Sequence, residues 1–203
     1  PVVWTLHDCW AFTGHCAYFD YVGCNKWKSE CSSCPQLSEY PRSLVLDNSR
    51  RNYITKKYLL SGLENFTIVT PSFWLSRIVS QSFLKNYNCR VINNGIDLRI
   101  FRPLDGSSIR NRFNLGSRKI LLGVASEWTD RKGLKYFEEL STLIGKDVQI
   151  ILIGLTKSQI KNISRNIIGL TRTSNLNELI AFYSIADVFV NPTLEDNFPT
   201  TNL

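Results

Sequence analysis

The stretch KILLGVASEWTDRKGLKYFEELSTLIGKDVQIILIG, residues 119–154, determines how the rest of the sequence is interpreted. It opens with the apolar run KILLGVAS at 119–126, which predicts a buried strand. GLKYFEELSTLI at 133–144 has the apolar spacing of an amphipathic helix. VQIILIG at 148–154 is the continuous apolar run of a strand buried on both faces. A strand, a helix and a second strand in this order predict a parallel sheet with a helix packed across it.

The same alternation runs through the rest of the chain. After this stretch come a short helix, the strand IIGL, the helix LNELIAFYSIA and the strand DVFVNP. Before it, FTIVT at 66–70 is rich in β-branched residues, as strands are, and Pro71-Ser72 begins a helix with Ser72 as its N-cap. A strand at 1–7 and a short strand within CRVINNG complete the pattern, together with a helix at 49–63 whose predicted apolar stripe is Tyr53, Ile54, Tyr58 and Leu59. We therefore predict an α/β fold with two parallel sheets.

The sequence between residues 98 and 117 predicts a linker between two domains. It contains Pro103, Gly106 and a pair of serines, and the strand–helix alternation begins again after it. We expect one domain at residues 1–97 and a second at residues 118–203, neither of them complete.

Composition limits the classes of function. Hydrophobic residues make up 43% of the chain and charged residues 20%, which is a globular composition. No apolar run approaches the roughly twenty residues that a membrane span requires. The net charge of +7 is spread along the chain without a dense basic stripe. Such a distribution argues against nucleic acid as a partner and suits an anionic small molecule or an anionic membrane surface.

The start of the chain also carries information. It begins at Pro1, contains no methionine and shows no signal peptide. We interpret it as a fragment of a longer protein, so any targeting segment could lie outside this sequence.

Three places suit a bound ligand. Ligands of open parallel sheets bind beyond the carboxyl ends of the strands. This rule nominates His7-Asp8 after the first strand, residues 125–133 and residues 192–202. All three carry polar side chains that suit an anionic ligand.

The first two places each have two interpretations. His7 is either an imidazole that contacts substrate or a histidine satisfied by a backbone carbonyl. Arg131 and Lys132 precede Gly133, where a helix starts, and cations beside helix amides form a phosphate site. The alternative is a solvated charged turn. The loop is not a P-loop, because the spaced glycines are missing.

The third place combines acidic side chains with a helix start. Glu195 and Asp196 follow a buried strand and could accept hydrogen bonds from the hydroxyls of a sugar. Thr200 and Thr201 are good N-caps for a helix at the chain end, and the free amides there would attract an anion. Simple helix capping is the alternative.

Six segments together resemble the family-4 retaining glycosyltransferases, enzymes with two facing Rossmann-like domains in the GT-B fold. The segments keep the family's order and cover nearly the whole chain. They are TLHD at 5–8, VTPS at 69–72, NNGID with the F and P that follow at 93–103, RKG at 131–133, NELIAFYSIADVFVNPT at 177–193 and EDNFPTTNL at 195–203. The cysteine-rich segment, ASEWTDRKG and EDNFPTTN are similar to a bacterial subgroup that builds surface polysaccharide of the colanic-acid or capsule type.

The resemblance implies a role for each matching residue. His7 would contact the donor sugar from the amino-terminal, acceptor-side domain, and Lys132 would neutralise the donor diphosphate. Asp196 takes the position of the first Glu in the family's Glu–seven residues–Glu motif, with Glu195 one place earlier; we name both as catalytic candidates and prefer Asp196. Backbone amides near Phe198 to Thr201 would hold the phosphate. The implied donor-binding residues are Arg131, Lys132, Gly133, Phe198, Thr200 and Thr201.

The sequence departs from the family pattern in two places. Most members have Gly-Arg where this chain has Ser126 and Glu127, so the second cation must come from elsewhere, and Arg131 is the candidate. The second Glu of the motif would lie just beyond Leu203. We therefore expect residues 1–203 to be inactive alone.

The resemblance also implies an activity and a location. The enzyme would transfer a sugar, with retention, from a nucleotide-diphosphate sugar to a growing surface polysaccharide or another glycan or lipid-linked acceptor. It would work in the cytoplasm, peripherally bound to the anionic inner face of the cell membrane, and it would need no catalytic metal. Two alternatives stay open: a non-catalytic α/β protein that binds a nucleotide or sugar phosphate, and a zinc-knuckle interaction module.

Five of the six cysteines lie in the segment CWAFTGHCAYFDYVGCNKWKSECSSCP, residues 9–35, which we interpret as an insertion in the first domain. Three interpretations compete: a structural zinc site that staples the insertion, reduced cysteines that pack in the core, and disulfides, which a cytoplasmic location disfavours. We favour zinc, because Cys-x2-Cys is half of a zinc knuckle, although the other half is irregular. The ligands would be Cys16, Cys24, Cys31 and Cys34.

Overall fold

The computed structural model describes residues 1–203, which form two compact units. The first unit contains Pro1–Asn94 together with Glu195–Pro199. The second contains Gly95–Leu194 together with Thr200–Leu203. The segment at 195–199, predicted as part of the second domain, therefore packs with the first unit.

The first unit is built on a three-stranded parallel sheet. Its strands lie in the order β1-β2-β3, and successive strands along the chain are neighbours in the sheet. Two helices accompany them, as predicted from their apolar spacing. The elements are β1 (Val2–Thr5), α1 (Ser49–Leu60), β2 (Phe66–Thr70), α2 (Phe73–Val79) and β3 (Asn88–Val91).

Helix α2 begins where the sequence predicts. The backbone of Ser72 is extended, and its side-chain hydroxyl accepts a hydrogen bond from the backbone N–H of Leu75 at 3.1 Å. This bond satisfies one of the N–H groups that a helix start leaves without a partner. Leu75, Ile78 and Val79 are buried, so α2 packs its apolar face into the unit.

The cysteine-rich segment belongs to the core of the first unit. The predicted insertion at 9–35 buries Phe12, Phe19 and Trp27, which pack in one hydrophobic cluster with β2 and α2. The rings of Phe19 and Trp27 are stacked at 4.7 Å between centroids. A sheet of only three strands provides little apolar surface of its own, and these aromatic residues supply much of what the unit buries.

The second unit is a four-stranded parallel sheet in the order β6-β5-β4-β7. Four helices accompany it, and β7 is much shorter than the predicted strand DVFVNP. The elements are α3 (Ser107–Arg112), β4 (Lys119–Val124), α4 (Leu134–Leu143), β5 (Val148–Ile153), α5 (Lys157–Asn162), β6 (Ile167–Leu170), α6 (Leu176–Ile185) and β7 (Val188–Phe189).

The central strands of the second unit are buried on both faces. Along β5, Ile151 and Ile153 pack in a cluster with residues of α3 and α6. Ile150 and Leu152 pack in a second cluster with residues of α4 and α5. Successive side chains of a strand point to opposite faces, so a continuous apolar run provides two cores.

The predicted linker at 98–117 is only partly irregular. Residues 107–112 form α3, where Ile109 is 4% exposed, and Leu115 beyond it is 1% exposed. Both lie in the same cluster as α6. The division between the units falls at residues 94 and 95, because these apolar side chains join the second core.

None of the helices combines the length and the apolar character that a membrane crossing requires.

Candidate functional site

The strand order of the second unit marks a place for a ligand. From β4 the chain moves to β5 and then to β6 on one side, whereas β7 lies on the other side of β4. Such a reversal of strand order opens a crevice at the carboxyl ends of the two strands, where ligands of doubly wound folds bind. The segments that leave β4 and β7 there are residues 125–133 and 190–194. The first is one of the predicted places, and the second contains the start of another.

Trp128 anchors the first of these segments. Its side chain is 2% exposed, and the indole N–H donates to the carbonyl oxygen of Ile153 at 2.9 Å. The side-chain amide of Gln159 donates to the carbonyl oxygen of Trp128 at 2.7 Å. The charged residues that follow therefore belong to a loop that these bonds hold in place. We did not predict this role from the sequence, although a single Trp inside a charged loop is the signal that suggests it.

Gly133 sets the corner at which α4 begins. Its backbone has a φ of +77°, in the left-handed region that favours glycine. A Cβ at this position would lie 2.5 Å from the carbonyl oxygen of Pro192, so no larger residue fits. No side chain caps the helix start, and Arg131 and Lys132 immediately precede it. Two cations thus lie next to helix amides, the combination that suits a phosphate.

Backbone contacts join this corner to the segment that follows β7. The carbonyl oxygen of Arg131 accepts hydrogen bonds from the backbone N–H of Leu194 at 2.9 Å and from the hydroxyl of Thr193 at 3.4 Å. The second predicted place and the first residues of the third, at 192–194, are therefore hydrogen-bonded to each other within the second unit.

The first unit brings His7 and the segment at 195–199 together. His7 lies just after β1, and its side chain is exposed. Its carbonyl oxygen accepts a hydrogen bond from the side-chain amide of Asn197 at 3.0 Å. The side-chain oxygen of Asn197 accepts from the hydroxyl of Ser72. A second amide, that of Asn94, donates to the carbonyl oxygen of Phe198 at 3.0 Å.

The two acidic candidates occupy different environments. Glu195 is 6% exposed, and its carboxylate accepts a hydrogen bond from the backbone N–H of Tyr21 at 2.8 Å. Asp196 is half-buried and accepts from the backbone N–H of Asn197 at 2.8 Å. The buried carboxylate of Glu195 therefore fixes the backbone, which leaves Asp196 as the acidic group better placed for a ligand.

The chain end forms a single turn of 3₁₀-helix at Thr200–Asn202 instead of the start of a longer helix. The carbonyl oxygen of Thr201 accepts from the hydroxyl of Tyr183 at 3.0 Å, and burial raises the pKa of that hydroxyl to about 12. The side-chain amide of Asn191 donates to the side-chain oxygen of Asn202 at 2.8 Å. These bonds hold the turn on the second unit.

The structure groups the predicted residues in two sets. Arg131, Lys132 and Gly133 lie at the corner of the second unit, with Thr200 and Thr201 elsewhere in that unit. The first unit contains the other set, His7, Glu195, Asp196 and Phe198. Asn94 and Asn197 lie in segments that carry the family resemblance, but the sequence indicated no role for either one, because an amide that joins distant backbone groups has no local pattern.

The four predicted zinc ligands line one small cavity in the first unit, together with His15. All six cysteines of the chain carry free thiols. Burial raises the pKa of the Cys16 thiol to about 12, and the neighbouring thiols of Cys34, Cys31 and Cys24 add to the shift. No group of three or more His, Cys, Asp or Glu side chains is arranged so that it could hold a metal ion as it stands. The zinc prediction is therefore not confirmed and stays a prediction.

Comparison with known proteins gives one informative sequence match. No protein-family model matches the chain. The putative colanic acid biosynthesis glycosyl transferase WcaC of Escherichia coli K12 is 38% identical over 100 residues, which cover 48% of this chain and 24% of that protein. The chain thus spans about a quarter of the length of this curated relative. The match confirms the resemblance that the motifs predict.

Solved structures share the fold at low sequence identity. Sucrose-phosphate synthase from Thermosynechococcus elongatus has a TM-score of 0.61 at 17% identity, covering 84% of this chain and 43% of that one. HepE (Alr3699) from Anabaena, solved in complex with UDP, has a TM-score of 0.60 at 13% identity, covering 97% of this chain and 48% of that one. The same protein with UDP-glucose has a TM-score of 0.58 at 14% identity, with 95% and 47% covered. These matches confirm the predicted α/β fold of the GT-B type.

Proposed function

We propose that the protein is a retaining glycosyltransferase that moves a sugar from a nucleotide-diphosphate sugar to a growing surface polysaccharide or a lipid-linked acceptor. Two comparisons support this proposal. The sequence relative is named as a glycosyl transferase of colanic acid biosynthesis. A protein of the same fold was solved with UDP and with UDP-glucose.

The corner at Gly133 is the observation that carries the proposal. It lies where the strand order reverses between β4 and β7, which is where this class of sheet binds nucleotides. The left-handed backbone of Gly133 and its close approach to Pro192 fix the start of α4. A donor diphosphate at this corner would meet the positive charges of Arg131 and Lys132 as well as the helix amides.

Charge stabilisation at this corner would supply most of the catalysis. In the reaction, the bond between the anomeric carbon and the diphosphate oxygen breaks, and a bond to the acceptor oxygen forms on the same face of the sugar. The acceptor hydroxyl releases its proton to solvent, and the diphosphate leaves with one added negative charge. Lys132 and Arg131 would stabilise this charge in the transition state, and backbone amides near Phe198, Thr200 and Thr201 would hold the phosphate.

The sugar contacts in this proposal are those that the resemblance to the family implies. Asp196 would accept hydrogen bonds from donor hydroxyls, and Glu195 would keep that backbone in place through Tyr21. His7 would contact the donor sugar, since its side chain is exposed and its backbone is fixed by Asn197. No catalytic metal enters this mechanism.

The acceptor and the location form a further part of the proposal. A net charge of +7 favours binding to an anionic membrane surface through exposed basic side chains. We propose that the protein acts in the cytoplasm, bound peripherally to the inner face of the cell membrane, where lipid-linked acceptors are found.

Nucleotide release tests the proposal. The protein expressed from its complete gene would be incubated with a panel of UDP-, GDP- and dTDP-sugars, and free nucleotide diphosphate would be measured. One donor should give release well above the uncatalysed rate, and added acceptor should increase it. Tight binding of a nucleotide sugar without release, measured by calorimetry, would instead favour the binding protein without catalysis.

A further inference from the structure

We infer that Cys16, Cys24, Cys31 and Cys34 bind a structural zinc ion in the first unit. Their side chains line one small cavity, to which His15 and Ser49 also contribute. Four thiols are the complete ligand set of a closed structural zinc site. The inference does not depend on the proposed function, because the cavity lies within the core of the first unit.

The segment between Cys31 and Cys34 bends at Ser33. Ser33 has a φ of +44°, which is uncommon for a residue other than glycine. The ammonium group of Lys26 donates to the carbonyl oxygens of Ser32 at 2.8 Å and Ser33 at 2.9 Å. These bonds hold a bent segment with one cysteine at each end, at the spacing of the Cys-x2-Cys half of a zinc site.

The surrounding chain fixes the positions of the cysteines as well. The backbone N–H of Cys34 donates to the carboxylate of Asp47 at 2.9 Å. A Cβ on Gly14 would lie 2.1 Å from the carbonyl oxygen of Ser49 and 2.8 Å from the Cβ of Cys31. The segment therefore packs against the start of α1 at a distance that only glycine permits, and a ligand set held this firmly is suited to a permanent ion.

One polar atom at the cavity is buried without a hydrogen-bond partner. It is the Nε2 atom of His15, a residue that is 8% exposed. Buried polar groups without a partner are rare and need an explanation. A zinc-bound thiolate carries negative charge and accepts hydrogen bonds from donors around the ligands, whereas a neutral thiol is a weak acceptor. Zinc binding would thus offer the buried Nε2 atom of His15 a partner.

Binding requires a small rearrangement, because the four side chains do not yet form a group that could hold a metal ion. Their sulfur atoms must turn toward a common point, where they would lie about 2.3 Å from the metal. In the process four thiols lose their protons to solvent, and one Zn²⁺ is bound as a tetrathiolate with a net charge of minus two. No oxidant or reductant takes part.

Cys89 provides a matched control within the same unit. It is half-buried like Cys24 and Cys34, but its sulfur lies 3.4 Å from the hydroxyl of Ser76, outside the cavity. Cys89→Ser therefore removes a thiol of similar exposure without touching the proposed ligands.

Metal analysis of the protein purified from its complete gene tests the inference. We expect about one zinc per chain, the stoichiometry of a closed four-ligand site. Cys34→Ser should lose most of it, and Cys89→Ser should keep it. Retention of zinc in Cys34→Ser, or protein without zinc after growth in zinc-supplemented medium, would overturn the site.

A second measurement on the unaltered protein covers the case in which Cys34→Ser does not fold. Replacement of zinc by Co²⁺ should give the sulfur-to-cobalt charge-transfer band and the visible bands of a tetrahedral thiolate site, and removal by a chelator should lower the melting temperature. Absence of these bands would contradict the inference. So would a mass spectrum in which the loss of hydrogen atoms shows disulfides among the four cysteines.

Discussion

The side-chain amide of Asn197 donates a hydrogen bond to the carbonyl oxygen of His7 at 3.0 Å, although 190 positions separate the two residues in the sequence. The same side chain accepts a hydrogen bond from Ser72 at the start of α2. One amide therefore links the end of β1, the N-cap of α2 and the segment that contains Asp196. The position of two proposed sugar-contacting residues, His7 and Asp196, depends on it.

Loss of this amide should lower activity more than stability. In Asn197→Ala the His7 carbonyl and the Ser72 hydroxyl lose their partner, and we expect the rate of sugar transfer to fall at least about tenfold, since small misplacements of reacting groups are costly. Steady-state kinetics of the protein expressed from its complete gene would show a lower kcat. Asn88→Ala, at an exposed position of β3, serves as the control. Equal kcat values for the two variants would contradict the positioning role.

Substitution of the two acidic candidates should have different effects, one on stability and the other on activity. Glu195→Gln weakens a buried bond between a carboxylate and the backbone N–H of Tyr21, so the free energy of unfolding should fall by about 1–3 kcal/mol. Asp196→Asn should keep normal stability and lose most of the transfer activity. Denaturant unfolding and kinetics on both variants measure the two effects. A fully active Asp196→Asn protein would remove this residue from the mechanism.

Gly133 should tolerate no side chain. Gly133→Ala places a Cβ 2.5 Å from the carbonyl oxygen of Pro192 and also strains a left-handed backbone. The strain alone costs about 1–2 kcal/mol, and the close contact should add to it and weaken binding of a nucleotide sugar. Gly116 is a suitable control, because its φ is +55° and a Cβ there meets nothing within 4 Å. Equal losses of stability in Gly133→Ala and Gly116→Ala would show that the contact with Pro192 does not matter.

The stability of the second unit should depend on pH through Glu178. Hydrogen bonding from the backbone N–H of Ser174 and the nearby Arg112 guanidinium lower the pKa of this carboxyl below its ordinary 4.5. As pH falls through that value, the unfolded chain takes up a proton before the folded one. The contribution of Glu178 is therefore complete above about pH 5 and is lost as pH falls through the lower folded pKa.

Removal of the Glu178 charge should abolish this pH dependence of stability. We expect Glu178→Gln to lose about 1–2 kcal/mol of unfolding free energy at pH 7, and the difference from the unaltered protein should shrink as pH falls below the ordinary carboxyl pKa of 4.5. Unfolding curves across this range measure it, with Glu139→Gln on the exposed side of α4 as the control. A difference that stays constant with pH would mean that the ion pair and its hydrogen bonds are not responsible.

Local patterns predicted the regular elements well. FTIVT forms β2 over the predicted residues 66–70, and Ser72 caps α2 as its sequence position indicates. The apolar runs around residues 119–154 form β4, α4 and β5 in the predicted order. These features depend on neighbours along the chain, so one sequence is enough to find them.

Features that depend on distant partners could not be predicted. Nothing near Glu195 in the sequence indicates that its carboxylate is buried against Tyr21. The apolar stripe predicted for α1 is also wrong in part: Tyr53 is 2% exposed, but Tyr58 is 82% exposed. Helix periodicity shows which residues share a face, and only the packing of the whole unit decides which part of that face is covered.

Removal of the positive charge of Lys132 tests most directly the central claim that the corner at Gly133 stabilises a departing diphosphate. The Lys132→Ala and Lys135→Ala variants, both expressed from the complete gene, would be compared with the unaltered protein. Lys135 lies on the exposed surface of α4 and serves as the control. At saturating donor, kcat for sugar transfer should fall by at least about tenfold in Lys132→Ala and stay unchanged in Lys135→Ala. An unchanged kcat in Lys132→Ala would contradict the account.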